Sequence, residues 1–247
     1  MAALTTGLSS ALVRFSLPGE AGAPLPPRAK LLHLLRHGQA THNVNEDLKS
    51  EANIDARLTE QGRQQCADLA ATIESLQVDL VVSSPLTRTL QTAQLSFCSQ
   101  LKAGAPLQAE ESVRETVNYL CDTRRPTSEL RADFPEVDFS RIEDEEDGVW
   151  AKYVARLGDQ AAFGKLRESV DDESLAERGR KMMQCLASQQ ASSIAVVSHR
   201  AFLRYIFSPR SEAAGIVAFD GDECKAKCVA DFANCELRTF VAQFAEP

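Results

Sequence analysis

The chain has 247 residues, 44% apolar and 25% charged, an ordinary globular balance that excludes collagen, coiled coil and bulk disorder. Asp and Glu number 35 against 27 Lys and Arg, a formal net charge of -8. That balance argues against nucleic-acid and anionic-membrane partners and requires any anionic ligand to meet a local cluster of arginines.

Residues 1–29 hold one acid, Glu20, with Ser, Pro and two arginines scattered among small residues. Arg14 interrupts the only apolar stretch, so a secretory signal fits poorly. The segment is expected to be a flexible tail or an organelle-targeting leader, and the chain is otherwise expected in the cytoplasm. From residue 30 onward a single domain is expected. Residues 31–35 (LLHLL) form a short continuous apolar run, the mark of a strand buried on both faces. His33 lies inside that run and reads as packing. Thr59 is the expected N-cap of a helix carrying Cys66, Leu69, Ala70, Ile73 and Leu76. A second buried strand follows at 78–83 (VDLVVS), and Ser84-Pro85 supplies an N-cap and an N1 proline for a helix with Leu86, Leu90, Ala93 and Phe97.

Residues 98 to about 170 break the rhythm and are expected to form an insertion over the sheet's edge that walls a pocket. The acidic run at 143–147 within it reads as a solvated loop rather than a metal site. Ser174-Leu-Ala-Glu177 is a capping box for a helix with Met182, Met183 and Leu186. A third buried strand follows at 194–198 (IAVVS), and residues 235–244 (CELRTFVAQF) close the chain as a strand, with Cys235 buried in it. Strands alternating with helices predict a three-layer α/β/α fold with a mainly parallel central sheet. No apolar run reaches the ~18 residues of a membrane span. The seven cysteines form no CxxC pair, so they read as reduced thiols without a zinc site.

Ligand sites in open α/β sheets lie beyond the carboxyl ends of the strands. Arg36-His37-Gly38 follows the first buried strand, Arg88 lies in the helix after the second, and His199 follows the third. Two histidines and two arginines therefore converge on one edge. A neutral imidazole is a competent nucleophile toward phosphorus, and two guanidiniums can grip phosphoryl oxygens and neutralise their charge. Gly38 omits a Cβ where backbone N–H groups would approach an anion, and Arg88 near a helix N-terminus adds to a positive dipole end. The set fits phosphoryl transfer without a metal or other cofactor. His37 and His42 form an H-x4-H pair, but no carboxylate-rich pattern accompanies it.

The segment LLRHGQATHN (34–43) resembles the signature of the histidine phosphatase superfamily, the phosphoglycerate-mutase-like fold. VVSSPLTRTLQTA (81–93) is similar to that family's second-arginine segment and AVVSHRAFL (195–203) to its second-histidine segment. Residues 121–125, 134–150 and 234–238 further resemble a poorly characterised plant-type branch. The resemblance spans roughly residues 30–244. It implies that His37 is the nucleophile that forms a phosphohistidine, with Arg36, Arg88 and His199 completing the phosphate pocket. Gly38, Gln39 and Asn43 would be further contacts. The general acid should lie in the insertion just after a strand, where Glu115 matches best and Glu110 and Glu111 are rivals. Arg124 and Arg125 would either grip a second charged group of the substrate or form a surface turn. Where family members carry a small residue after the second histidine, this chain has Arg200, which would either add a phosphate contact or crowd the pocket.

The expected activity is therefore a metal-independent phosphomonoester hydrolase acting on a small phosphorylated metabolite or on a phosphoprotein. The substrate and the oligomeric state are left open. One alternative is mutase-type phosphoryl transfer, against which the mutase's tryptophan-rich stretch is missing after the first motif. Another is a phosphate-ligand-binding module of weak catalysis, supported by Arg200 alone. Gly158-x5-Gly164-Lys165 has the wrong spacing for a P-loop and lacks its Ser/Thr.

Overall fold

A computed structural model describes residues 11–20, 23–44, 48, 50–157, 168 and 173–246. The glycines of the rejected P-loop spacing, 158 and 164, lie outside the described residues. The strands are β1 (Val13–Ser16), β2 (Ala29–Arg36), β3 (Leu80–Ser83), β4 (Leu107–Ala109), β5 (Val137–Asp138), β6 (Ser193–Ser198), β7 (Val217–Phe219) and β8 (Leu237–Phe244). They form one eight-stranded sheet in the order β5-β4-β3-β6-β2-β8-β1-β7. Every neighbouring pair is parallel except those made by β8, which runs antiparallel to both β2 and β1.

The helices are α1 (Thr41–Val44), α2 (Glu60–Thr72), α3 (Thr87–Ser96), α4 (Cys98–Lys102), α5 (Thr127–Asp133), α6 (Gly148–Leu157), α7 (Glu173–Ser188), α8 (Arg200–Ile206), α9 (Pro209–Ala213) and α10 (Gly221–Val229). On one face of the sheet Leu32, Leu34, Val82, Ile194, Val196 and Phe240 pack with residues of α7, α8 and α10. On the other, Leu35, Val81, Ala195 and Val197 pack with residues of α2 to α5. Both faces are covered, and for that reason the central strands carry continuous apolar runs rather than alternate apolar positions, with His33 the one polar residue inside the run of β2. The three-layer α/β/α architecture expected from the strand–helix alternation is the observed one.

The expected tail is only partly so. Residues 13–16 form β1, with Val13 and Phe15 fully buried and Arg14 and Ser16 half-buried. This period-two alternation is a strand signal masked by the tail-like composition around it. The region 98–170 partly builds the sheet's edge rather than lying over it, because β4 and β5 are the last two strands on that side.

Capping follows chemistry in one case and departs from it in two. Thr59 caps α2 as expected, its hydroxyl accepting from the Gly62 N–H at 3.0 Å. Ser84 does not cap α3, which begins after Leu86. Instead the buried Asp55 accepts from the Thr87 N–H at 2.7 Å and from the Thr87 hydroxyl. Asp55 adopts φ 46°, a left-handed conformation that short polar side chains tolerate. Ser174 lies inside α7, bonded to the Tyr153 hydroxyl at 2.5 Å.

Candidate active site

The adjacent parallel strands β3, β6 and β2 end level with one another: Arg36 is paired with Ser198, and Ser83 with Val197. The next residue of each strand therefore emerges at the same carboxyl edge, and these residues are His37, His199 and Ser84. The register continues one step past the strands, with His37 N–H donating to the Ser198 carbonyl and Ser84 N–H to the Val197 carbonyl, both at 3.0 Å. The rings of His37 and His199 stand 5.1 Å apart.

His37 is 2% exposed, and its Nδ1 lies 2.7 Å from the carbonyl oxygen of Gly38. A carbonyl can only accept, so Nδ1 carries the proton and Nε2 keeps its lone pair. Burial, followed by the charge of Arg88 and then that of Arg36, holds this ring well below the ordinary imidazole range. It is neutral across physiological pH. His199 is held down in the same way, by burial and then by Arg88 and His37. Its Nε2 meets the Ser84 hydroxyl at 2.8 Å, while its buried Nδ1 has no protein partner.

Arg88 is 0% exposed, and donates to the Cys121 carbonyl at 2.6 Å and to the Asp122 carboxylate at 3.3 Å. Arg36 donates to the Phe232 carbonyl at 2.7 Å. Both arginines leave a buried Nε–H without a partner. Glu115 accepts from the N–H groups of Phe202 at 3.0 Å and Ala201 at 3.3 Å, just past His199, which places it at this edge. Burial, then the charge of Asp122, pushes the Glu115 carboxyl above the usual carboxylate range. Its rivals are engaged elsewhere: Glu110 accepts from Arg141, and Glu111 from Arg114 and Arg124.

Four expectations need correction. Gly38 does not present its backbone to an anion; its N–H donates to the Thr92 hydroxyl at 3.1 Å. A Cβ there would meet the Gly62 carbonyl oxygen at 2.8 Å and the Cys66 sulfur at 3.1 Å, so the glycine lets α2 press against the His37 loop. Gln39 faces the same helix, its backbone N–H donating to Gln65 at 2.9 Å and its side chain accepting from Thr59 at 2.8 Å. Arg124 is enclosed by Glu111, Thr127 and the carbonyls of residues 144–146, and Arg125 by Asp55, Glu129 and Asp133. Both guanidiniums are thus matched inside the protein. The acidic run is not wholly solvated, because Asp147 is buried against Arg114 at 2.8 Å. Burial opposes its charge, yet Arg114 holds this carboxyl below its usual value.

Arg200 turns outward. Its side chain is 52% exposed and pairs with Asp231 at 2.6 Å, so it does not crowd the histidines. Asn43 accepts from the Ala40 N–H at 3.0 Å and bridges to Asn234 at 3.4 Å. Asn234 in turn donates to the His37 carbonyl at 3.1 Å. Cys235, expected in a strand, precedes β8 with φ 59°. Its N–H lies between the Arg36 and His37 carbonyls at 3.1 and 3.2 Å, bracing the loop.

Sequence reasoning missed Ser84, Asp122 and Asn234. Ser84 stands one residue past a buried strand, as His37 and His199 do, and that shared position was the available signal. Asp122 and Asn234 reach the site through turns whose course no local pattern announces. Among the described residues no group of His, Cys, Asp and Glu side chains has an arrangement that could hold a metal ion. Nor, among them, is any helix long and apolar enough to cross a membrane.

The family model described as histidine phosphatase superfamily (branch 1) matches residues 32–213. Phosphoglycerate mutase-like protein 1 of Arabidopsis thaliana is 33% identical over 262 aligned residues, covering 90% of this chain and 84% of its own. Glucosyl-3-phosphoglycerate phosphatase of Mycobacterium tuberculosis is 33% identical over 128 residues, 51% of this chain and 52% of its own. Among solved structures, phosphoglycerate mutase from Bacillus anthracis superposes with a TM-score of 0.50 at 16% identity, covering 86% of this chain and 88% of that one. That likeness is one of fold.

Proposed function

Because the chain belongs to the histidine phosphatase superfamily, we propose that it is a phosphomonoester hydrolase working through a phosphohistidine at His37. The observation that carries this reading is the protonation of His37: Nδ1–H is committed to the Gly38 carbonyl, which leaves a neutral Nε2 within the field of the buried Arg88 and the half-buried Arg36. In the first step Nε2 attacks phosphorus, the ester P–O bond breaks, and Glu115 gives its proton to the departing oxygen. Water then attacks the phosphohistidine, the N–P bond breaks, and the Glu115 carboxylate takes up the water's proton. Arg36, Arg88 and His199 hold the phosphoryl oxygens and offset the charge that develops on them.

The substrate is read as a small phosphorylated metabolite or a phosphoprotein. The binding-module alternative rests on Arg200, which is half exposed and paired with Asp231, while its charge still acts on Arg36. The solved mutase is alike in fold alone, while the sequence relative at 33% identity is named mutase-like, so mutase-type phosphoryl transfer stands as the second reading.

The test is hydrolysis of an aryl phosphate in EDTA by the wild-type chain and by His37→Ala. Turnover should fall by at least ~10³-fold in the variant, and the acid-labile, alkali-stable phosphoryl label of the wild type should disappear. Turnover retained by a folded His37→Ala chain would overturn the reading.

A further inference from the structure

His42 has so far been given no part. It is 8% exposed, and its ring stands 5.6 Å from that of His37, tilted by 52°. Which of its nitrogens carries hydrogen follows from its neighbours. The Ala40 N–H, which can only donate, points at the Asn43 side-chain oxygen at 3.0 Å, and the Asn234 amide donates to the same oxygen at 3.4 Å. The Asn43 amide is therefore oriented with its NH₂ toward His42, where it donates to Nε2 at 3.0 Å. Nε2 is an acceptor, so Nδ1 holds the ring's proton. That Nδ1–H is buried and has no partner in the protein.

An orphaned buried donor is costly unless something outside the chain completes it. Burial, then the charges of Arg88 and Arg36, holds the His42 ring down to about 2, so it is neutral near physiological pH. The groups facing it are His37, Asn43, Arg36 and Arg88, all neutral or cationic. The missing partner is then an acceptor, and among these neighbours an anionic one meets no like charge.

We propose that His42 is an uncharged hydrogen-bond donor of the phosphate pocket, its Nδ1–H completed by an oxygen of the phosphoryl group held at His37. The proposal rests on the phosphatase reading for the presence of that group. A neutral donor tightens the grip on the phosphoryl oxygens without a further positive charge that would retain the phosphate product. Loss of a hydrogen bond to a charged acceptor weakens binding by about 10- to 100-fold.

Inorganic phosphate binding to the intact chain, measured by calorimetry from pH 5 to pH 8, tests this without requiring turnover. His42→Phe keeps a ring and loses the donor, and should weaken phosphate by that factor at every pH. His42→Gln keeps an N–H and should recover most of the affinity. On the wild-type chain, the nitrogen spectrum of the His42 ring should show a protonated Nδ1 that shifts when phosphate is added. If His42→Phe binds phosphate as the wild type does, or the Nδ1 signal does not move, His42 is a packing residue and the proposal fails alone. Should His42→Phe fail to fold, the Nδ1 signal and His42→Gln decide. Wild-type binding of phosphate without hydrolysis of any ester would sink the phosphatase reading and leave His42 to be judged on affinity. A wild-type chain that binds no phosphate would overturn both.

Discussion

Arg88 and Arg114 are both fully withdrawn from solvent, yet their surroundings differ in one decisive respect. Arg114 gives two bonds to Asp147 at 2.8 Å and one to Glu111 at 3.1 Å, so its charge is cancelled within the protein. Among the described residues Arg88 bonds to one carboxylate, Asp122 at 3.3 Å, and otherwise to a peptide carbonyl. Its remaining neighbours include histidines held neutral, partly by Arg88 itself. A buried cation matched by anions is scaffold. One left under-matched is poised for an anion from outside, and the contrast separates the wall of the pocket from its floor.

The sharpest way to break the contrast is Arg88→Lys, which keeps the charge and loses the planar fork. kcat/KM for a phosphate monoester should fall about 10³-fold with the thermal midpoint little changed; a matching loss of stability would make Arg88 scaffold after all. Asp147→Ala makes the reverse test. Stripping Arg114 of its main partner should cost about 3–5 kcal/mol in urea unfolding. The wild-type contribution of this carboxylate is complete above its ordinary pKa and is lost as pH falls through its lowered value. Turnover by the folded fraction of Asp147→Ala should persist, and a stable but inactive variant would place Asp147 in the chemistry.

Glu115 sharpens the comparison further. His37 is held below 6.5, so the nucleophile survives mild acid, and Glu115 is held above 4.5, so its proton survives to higher pH than an ordinary carboxyl's. The kcat profile should be a bell whose alkaline limb belongs to Glu115. Glu115→Gln should remove that limb and slow an alkyl phosphate about 10²-fold, while an aryl phosphate with a good leaving group is nearly spared. Equal losses on both esters would show that Glu115 only braces the backbone N–H groups of α8. The smallest effect belongs to Arg200→Gly: both partners of the Arg200–Asp231 pair are about half exposed, so kcat/KM should stay within about threefold. A large gain would mean that Arg200 obstructs the pocket in solution.

The floor of the site could be read from the amino-acid order because it is made by strand ends. Continuous apolar runs mark strands buried on both faces, and the residues that follow each run must surface at the sheet's edge, which placed Arg36, His37 and His199 there, with Arg88 in the helix after the second run. The wall could not be read in this way. Whether Arg124 meets a ligand or the carbonyls of residues 144–146 depends on how two loops fold back on each other, and no periodicity encodes that. Gly38 is a similar case: a glycine beside the candidate nucleophile invites an anion-binding explanation, but its need arises from α2, packed across it from residues 60–72. β1 was hidden for another reason. Four residues of alternation inside a Pro- and Ser-rich stretch are a weak local signal, and the strands that stabilise it come from the opposite end of the chain.

That last arrangement bears on how the chain is made. β1 pairs with β7 and β8, and β2 with β6 and β8, so the two strands synthesised first have no partners until residues beyond 190 have been added. Only β3, β4 and β5 can associate early. A nascent chain therefore carries the apolar LLHLL run, with both of its edges unpaired, through most of translation. Closing the sheet requires a long loop to be drawn in before any ladder rewards it, which makes folding slow and exposes that edge to other chains. Truncation from the C-terminus should for this reason be poorly tolerated, because the loss of β8 strands the bond donors and acceptors on one edge of β2, the strand that delivers His37.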